Sequence, residues 1–138
     1  MNFALLALAA FLATLSSIVV GTLWYRPRVF GNRWQALTGI DPNKPVNPAV
    51  TYGGTFAATA VTAVVLAIAA HVTGSYFALD SLPAALLASL VLWAGLTASR
   101  MLVHDLFASK DLTIWLIDAG YELVTLLVMG AIIGLIGG

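Results

Sequence analysis

The chain has 138 residues, of which 61% are hydrophobic and 9% are charged, whereas about a quarter of the residues in a soluble domain are charged. This composition argues against an ordinary soluble domain and indicates a membrane protein with a single domain, residues 1–138. Six basic residues balance six acidic ones, so no overall positive field favours nucleic acid as a partner. The chain has no cysteine, which excludes disulfides, a thiolate nucleophile and cysteine-based metal sites.

The first 25 residues contain no charged side chain, and roughly 20 apolar residues are enough for a helix to cross a membrane. We interpret residues 3–25 as the first span. A cleaved signal peptide is the alternative, but the run lacks a basic start and is longer than a signal-peptide core. The segment TGIDPNKPVNP follows, and its three prolines predict loop rather than helix. We place the connection at residues 26–47, directly before the second span.

Three further apolar stretches predict spans at residues 48–72, 82–107 and 112–136. Gly74, Ser75 and Asp80 indicate a short exit loop after the second span, and residues 109–112 indicate a tight turn before the last. The predicted fold class is therefore all-α, an integral membrane four-helix bundle.

The basic residues predict the orientation of this bundle. All of them lie in or beside the first and third connections: Arg26, Arg28, Arg33, Lys44, Arg100 and Lys110. Because cytoplasmic connections carry an excess of Lys and Arg, the loop at 26–47 is predicted to be cytoplasmic and both termini to lie on the outer side.

The stretch LWYRPRVFGNRW, at residues 23–34, lies at the predicted cytoplasmic interface. We expect Pro27 and Gly31 to shape the exit from the first helix. The aromatic residues of the stretch are predicted interfacial anchors, since aromatic rings settle at headgroup depth: Trp24, Tyr25, Phe30 and Trp34.

Polar side chains recur at helical spacing in three spans, so each set shares one face of its helix. Because lipid offers polar groups no partners, these faces are predicted to point into the bundle or into a wet cavity. The second span contributes Tyr52, Thr55, Thr59 and Thr62. The third contributes Ser89, Trp93, Thr97, Arg100 and His104, and the fourth Trp115, Asp118, Glu122, Thr125 and Met129.

Arg100 and Asp118 lie at equal distances from the turn at Ser109, ~13 Å along each helix, and are predicted to meet. We expect an ion pair that fixes helix register. The alternative is a relay in which Glu122, nearer the midplane, takes up and releases a proton or cation. The candidate binding or ion-coupling residues are Glu122, Asp118, Arg100, His104, Thr97 and Trp93.

Neither a metal site nor a cofactor is predicted. His104 is the only histidine near these carboxylates, and the HExxH spacing is absent. The chain also lacks the nucleophile elbow, the Walker A loop and the dinucleotide fingerprint. We therefore do not expect an enzyme.

Gly130, Gly134 and Gly138 repeat at every fourth residue near the end of the last span. Small residues at this spacing let two helix backbones approach closely. The partner helix lies either in the same bundle or in a second copy of the chain, and the spacing does not distinguish the two.

Several of these residues carry a family resemblance. Trp24-Tyr25, Pro27, Phe30-Gly31 and Trp34 resemble the signature W-Y-x-P-x-x-F-G-x-x-W of small bacterial membrane proteins grouped as domain of unknown function 1761. The further elements that resemble this family are Trp93-Ala94-Gly95, Asp118-Ala119-Gly120-Tyr121 and Met129-Gly130. The resemblance implies four helical spans and no assigned activity. The chain departs from the family pattern at position 118, usually asparagine, and at position 122, often not acidic.

Two hypotheses follow for a multi-pass protein of the bacterial inner membrane, with the lipid bilayer as its first partner. In the first, a homo-oligomer transports or conducts a small solute or ion through a polar interior, with Glu122 as the coupling site. In the second, the protein is an accessory or scaffold subunit of a membrane complex with an unidentified protein partner. An enzyme acting on lipid is a distant third.

Overall fold

The computed structural model describes residues 2–137, and helices account for most of them. The α-helices are α1 (Phe3–Trp24), α2 (Asn32–Thr38), α3 (Gly54–Phe77), α4 (Ser81–Leu92), α5 (Ser99–Phe107) and α6 (Leu112–Ile136). Three segments are wound as wider π-helix: Pro27–Gly31, Ala49–Gly53 and Trp93–Ala98. The described residues contain no β-strand.

Four helical stretches are long and apolar enough to cross a membrane: Phe3–Trp24, Ala49–Phe77, Ser81–Phe107 and Leu112–Ile136. The second and third are continuous because a π segment joins directly to an α-helix in each. The predicted fold class, an all-α membrane four-helix bundle, is confirmed.

Two connections differ from the prediction. The second spanning helix continues to Phe77, so Gly74 and Ser75 are helical and not part of an exit loop. It ends at Ala78, which adopts a left-handed conformation with φ of 53°. The first connection contains α2, which ends at Gly39 with φ of 68°. Glycine adopts this conformation without steric cost, so Gly39 was a usable signal for a short helix before it.

The core of the bundle is built largely from alanine, while many larger apolar side chains face outward. Val61, Ile68 and Val91, for example, are each about 60% exposed. Small residues let helix backbones approach closely, and the exposed apolar surface suits lipid rather than water. The buried core comprises Ala9, Ala13, Ala63, Leu66, Ala67, Ala70, Ala85, Ala88, Leu126, Met129 and Ile133.

Helix α6 packs most extensively against α1 and α4, and its glycines allow the close contact with α4. A Cβ atom added at Gly134 would lie 2.7 Å from the Cα of Leu82, and one at Gly130 would lie 3.0 Å from the carbonyl oxygen of Ala85. The Ser89 hydroxyl, in the same contact, shares its proton between the carbonyls of Ala85 and Leu126. Of the two predicted partners for these glycines, the helix of the same bundle is the one observed. Gly138 lies outside the described residues.

The polar face of the second span does not point into the bundle of this chain, and that prediction is wrong. Tyr52 is 69% exposed, and Thr55 and Thr62 are also exposed. The hydroxyls of Thr55, Thr59 and Thr62 donate to carbonyls four residues earlier in the same helix. Because these hydroxyl groups already form hydrogen bonds within their own helix, they need no partner on another helix.

The turn between the third and fourth spans carries the only ion pair within residues 2–137. Lys110 Nζ lies 2.8 Å from Asp105 Oδ1, and this hydrogen bond raises the pKa of Lys110. Ser109 turns the chain with φ of 54°. Asp111 then caps α6 by accepting a hydrogen bond from the backbone N–H of Thr113 at 2.7 Å, which lowers the pKa of Asp111.

The Gly134→Ala variant should be less stable than the wild type by about 1–3 kcal/mol, because the new methyl group would clash with the α4 backbone. The matched control is Gly95→Ala, since a Cβ there meets nothing within 4 Å and Gly95 is exposed. That variant should be neutral or slightly more stable, as alanine favours helix over glycine. Reversible unfolding in mixed micelles measures both. Equal effects of the two substitutions would contradict the packing role.

The cap at Asp111 predicts a loss of stability in acid. The pKa of Asp111 is lowered in the folded state, so its carboxylate stabilises the protein at pH values above its ordinary pKa of 3.8. This contribution disappears as the pH falls through the folded-state pKa. The stability of the wild type relative to Asp111→Asn should therefore decrease on acidification below about pH 4. Unfolding measured across this pH range tests the prediction, and a constant difference would contradict it.

Candidate functional site

The chain reverses direction after α1 because of the residues that follow Tyr25. Arg26 is extended, with φ of −60° and ψ of 145°, as expected for a residue before proline. Pro27 then starts the π turn that leads into α2. Gly31 is buried at the end of this turn, where a Cβ would lie 2.9 Å from the carbonyl oxygen of Arg26 and closer still to that of Tyr25. Only glycine fits there, and the turn brings α2 back against α6.

Aromatic contacts hold this turn against the fourth span. Trp24 stacks on Phe30 with ring centroids 4.6 Å apart, and its indole N–H donates to the carbonyl of Ile117 at 3.1 Å. The same indole lies over Gly120, where a Cβ would be 3.1 Å from its ring. Trp24 thus fastens the end of α1 to the first half of α6. The headgroup location of these rings stays a prediction.

A hydrogen bond joins this aromatic turn to an acidic residue of the fourth span. The Tyr25 hydroxyl donates to Asp118 Oδ1 at 2.6 Å. Glu122 lies one helical turn further along the same face of α6. Within residues 2–137 the Glu122 carboxyl group has neither an ion pair nor a hydrogen bond with another side chain or the backbone. The two carboxyl groups therefore differ, since one has a partner and the other is free.

These groups border a cavity of about 460 Å³ at the end of the bundle that carries the turn after α1. The first connection contributes Gly31, Trp34 and Gln35, and Met101 comes from α5. The eight lining residues are Tyr25, Gly31, Trp34, Gln35, Met101, Asp118, Tyr121 and Glu122. A second cavity, about 370 Å³, lies at the opposite end of the bundle, with His71, Ser75 and Ser81 among its lining residues.

The predicted ion pair between Arg100 and Asp118 is not formed. Arg100 is exposed, and Asp118 is bonded to Tyr25 instead. The reason is the π segment Trp93–Ala98, which contains one more residue per turn than the α-helix assumed by the sequence pattern. The face that follows it is displaced by one residue, so Met101 lines the cavity where Arg100 was expected.

The same displacement affects the other candidates on this span. His104 is exposed, whereas its neighbour Asp105 is buried, and Ala98 is buried beside the half-buried Thr97. Trp93 precedes the displacement and does face α6, where its indole N–H donates to the carbonyl of Ala119 at 2.8 Å. Of the six predicted candidates, Asp118 and Glu122 are the two that border the cavity.

Trp34 differs from the other three tryptophans of the chain. Trp24, Trp93 and Trp115 each donate the indole N–H to a backbone carbonyl. The Trp34 indole nitrogen is buried and has no partner in the described part of the chain. Its ring packs edge-on against Tyr25, with centroids 5.5 Å apart. An unpaired donor therefore lies within one wall of the cavity.

Three lining residues, Gln35, Met101 and Tyr121, were not predicted as site residues, and Tyr25, Gly31 and Trp34 were predicted only as parts of an interfacial motif. Tyr121 had a signal, because it belongs to the Asp-Ala-Gly-Tyr element that contains Asp118. Gln35 and Met101 had none, since they reach the cavity through the turn after Tyr25 and the π segment.

The sequence model of the family described as protein of unknown function (DUF1761) matches residues 8–134. The chain belongs to this family. Both parts of the cavity, the DUF1761 aromatic motif and the acidic face of α6, lie within the match. The predicted family resemblance is thereby confirmed. No curated protein and no solved structure gave a significant match to the chain.

The Tyr25→Phe variant tests the contact that joins the two parts of the cavity. It keeps the ring but loses the hydrogen bond to Asp118, and we expect a loss of about 1–2 kcal/mol in unfolding free energy. Tyr76→Phe is the control, because Tyr76 is 81% exposed. Thermal and denaturant unfolding in nanodiscs or micelles measure both. A loss no larger than that of the control would contradict a structural role for the hydrogen bond.

Proposed function

We propose that this protein is a small carrier or channel of the bacterial inner membrane. Glu122 is its coupling site, which takes up and releases the proton or small cation that the protein moves. The observation that supports it best is the free carboxyl group of Glu122 beside a cavity. No catalytic role is proposed, since the lining residues form no recognisable pair of nucleophile and base.

The cost of a carboxyl group inside a spanning helix supports this proposal. Insertion of an acidic residue at the centre of a membrane helix costs about 3 kcal/mol, so such residues usually face a cavity or pair with another group and are typical of ion and proton pathways. Asp118 has such a partner in Tyr25. Glu122 has none among residues 2–137, which leaves its carboxyl group available to a proton or a ligand.

The positions of the two cavities also support a transport role. They lie at opposite ends of the bundle and are separated by its core, where Leu66 and Met129 are fully buried. A carrier that opens alternately to each side needs such a closed middle between two openings.

We further propose that the protein works as a homo-oligomer. Every residue from Ala49 to Ala58, at the start of the second spanning helix, is exposed in the single chain. Gly53 and Gly54 lie in this stretch, and a Cβ at either would meet nothing within 4 Å. A second copy packed there would also cover the threonine face that the bundle leaves outside.

The same exposed stretch favours a second candidate function, an accessory or scaffold subunit. In that case a different membrane protein covers residues 49–58, and the acidic cavity has only a structural role. Cysteine crosslinking at Gly53 in native membranes distinguishes the two. Crosslinked dimers of this chain favour the homo-oligomer, while adducts solely with another protein favour the accessory subunit.

The Glu122→Gln variant should lose at least about 90% of proton flux, since it removes the only free carboxyl group of the cavity. The assay follows entrapped pyranine in proteoliposomes after a pH step, with a potassium gradient and valinomycin to hold the membrane potential. Asp80→Asn is the matched control, because it removes an exposed carboxyl group between spans. Full flux in a folded Glu122→Gln protein would overturn the proposed coupling site.

A further inference from the structure

We propose that the ligand of the 460 Å³ cavity is a small organic ammonium ion, held between the carboxyl groups of Asp118 and Glu122 and the rings of Tyr25, Trp34 and Tyr121. The inference rests on the proposed function of the same site and names the chemical class of its substrate.

The charges of the cavity favour a cation. Two of the eight lining residues are acidic, and none is Lys, Arg or His. The one ion pair in the described part of the chain, Lys110 with Asp105, lies at the turn between spans and not in the cavity. Because Arg100 faces away, no basic side chain offsets the two acids there. A positively charged ligand would supply the missing partner.

The aromatic walls favour an organic cation over a metal ion. Tyr25 packs on Tyr121 with ring centroids 5.3 Å apart and edge-on against Trp34 at 5.5 Å, so the three rings form one cluster that lines the cavity together with the acids. Aromatic faces attract ammonium groups through their quadrupoles, and quaternary ammonium ions are bound in this way in aromatic cages. Met101 adds a further apolar contact surface.

A metal ion fits the lining residues poorly. Calcium and magnesium require six or more oxygen ligands, and zinc prefers nitrogen and sulfur. The lining offers two carboxyl groups and one amide, and residues 2–137 contain no group of three His, Cys, Asp or Glu side chains that could hold a metal.

The size of the cavity agrees with a small organic ligand. A volume of about 460 Å³ falls within the range of roughly 300–1,000 Å³ typical of small-molecule sites.

The test uses full-length protein in lipid nanodiscs and measures choline binding by isothermal titration calorimetry, with empty nanodiscs subtracted. The uncharged isostere 3,3-dimethylbutan-1-ol is the control ligand, since it has the same shape without the charge. We expect saturable choline binding and at least about tenfold weaker binding of the alcohol. Absence of choline binding, or equal binding of the two compounds, would overturn the ammonium assignment without the need for any variant.

A matched pair of variants tests the aromatic wall. Tyr121→Leu should weaken choline binding roughly 5- to 30-fold, the loss expected for one cation–π contact, while Tyr121→Phe keeps a ring and should stay within about threefold of the wild type. Glu122→Gln should weaken binding at least about tenfold. Equal affinities of the two Tyr121 variants would count against the aromatic cage.

The inference and the proposed function fail in different ways. Choline binding that depends on Glu122, together with unchanged proton flux in Glu122→Gln, would support the ammonium site and overturn the coupling role. Proton flux that depends on Glu122, in a protein that does not bind choline, would overturn the ammonium assignment and leave the coupling role in place.

Discussion

The hydrogen bond from the Tyr25 hydroxyl to Asp118 links the end of the first span to the acidic face of the fourth, and the cavity depends on it. Tyr25 lies at the end of α1, which packs along α6, and the turn at Pro27 and Gly31 then brings α2 back over α6 beside this bond. The same bond distinguishes the two carboxyl groups, since it satisfies Asp118 and leaves Glu122 free. Structure and proposed chemistry therefore depend on one contact between segments 93 residues apart.

Helix α6 combines two kinds of packing along its length. Its second half lies close to α4 through Gly130 and Gly134, where little more than backbone separates the helices. Its first half is surrounded by aromatic rings and carries the acids. Close backbone packing gives a firm contact in lipid, where no hydrophobic force drives helices together. The contact with α4 thus positions the second half of α6, and the first half belongs to the same regular helix.

The spans could be predicted from the sequence because apolar length and the distribution of charge act locally. Residues 118 and 122 share a face for the same reason, since α6 is regular from Leu112 to Ile136. Arg100 and His104 were misplaced because the 3.6-residue pattern assumes an unbroken helix, and the π segment before them breaks it. Trp34 and Gln35 could not be predicted as cavity residues, since their position depends on a turn in a connection without periodicity.

The π segment Trp93–Ala98 also determines which side chain the third span presents to the acids. If the same residues were wound as a regular α-helix, α5 would rotate by about 100° and Arg100 would occupy the position of Met101. The cavity would then contain its own cation, and the acids would be neutralised from within the chain. The π segment therefore decides whether the third span presents Met101 or Arg100 to the cavity. It thereby decides whether the two acids face a basic side chain of the same chain.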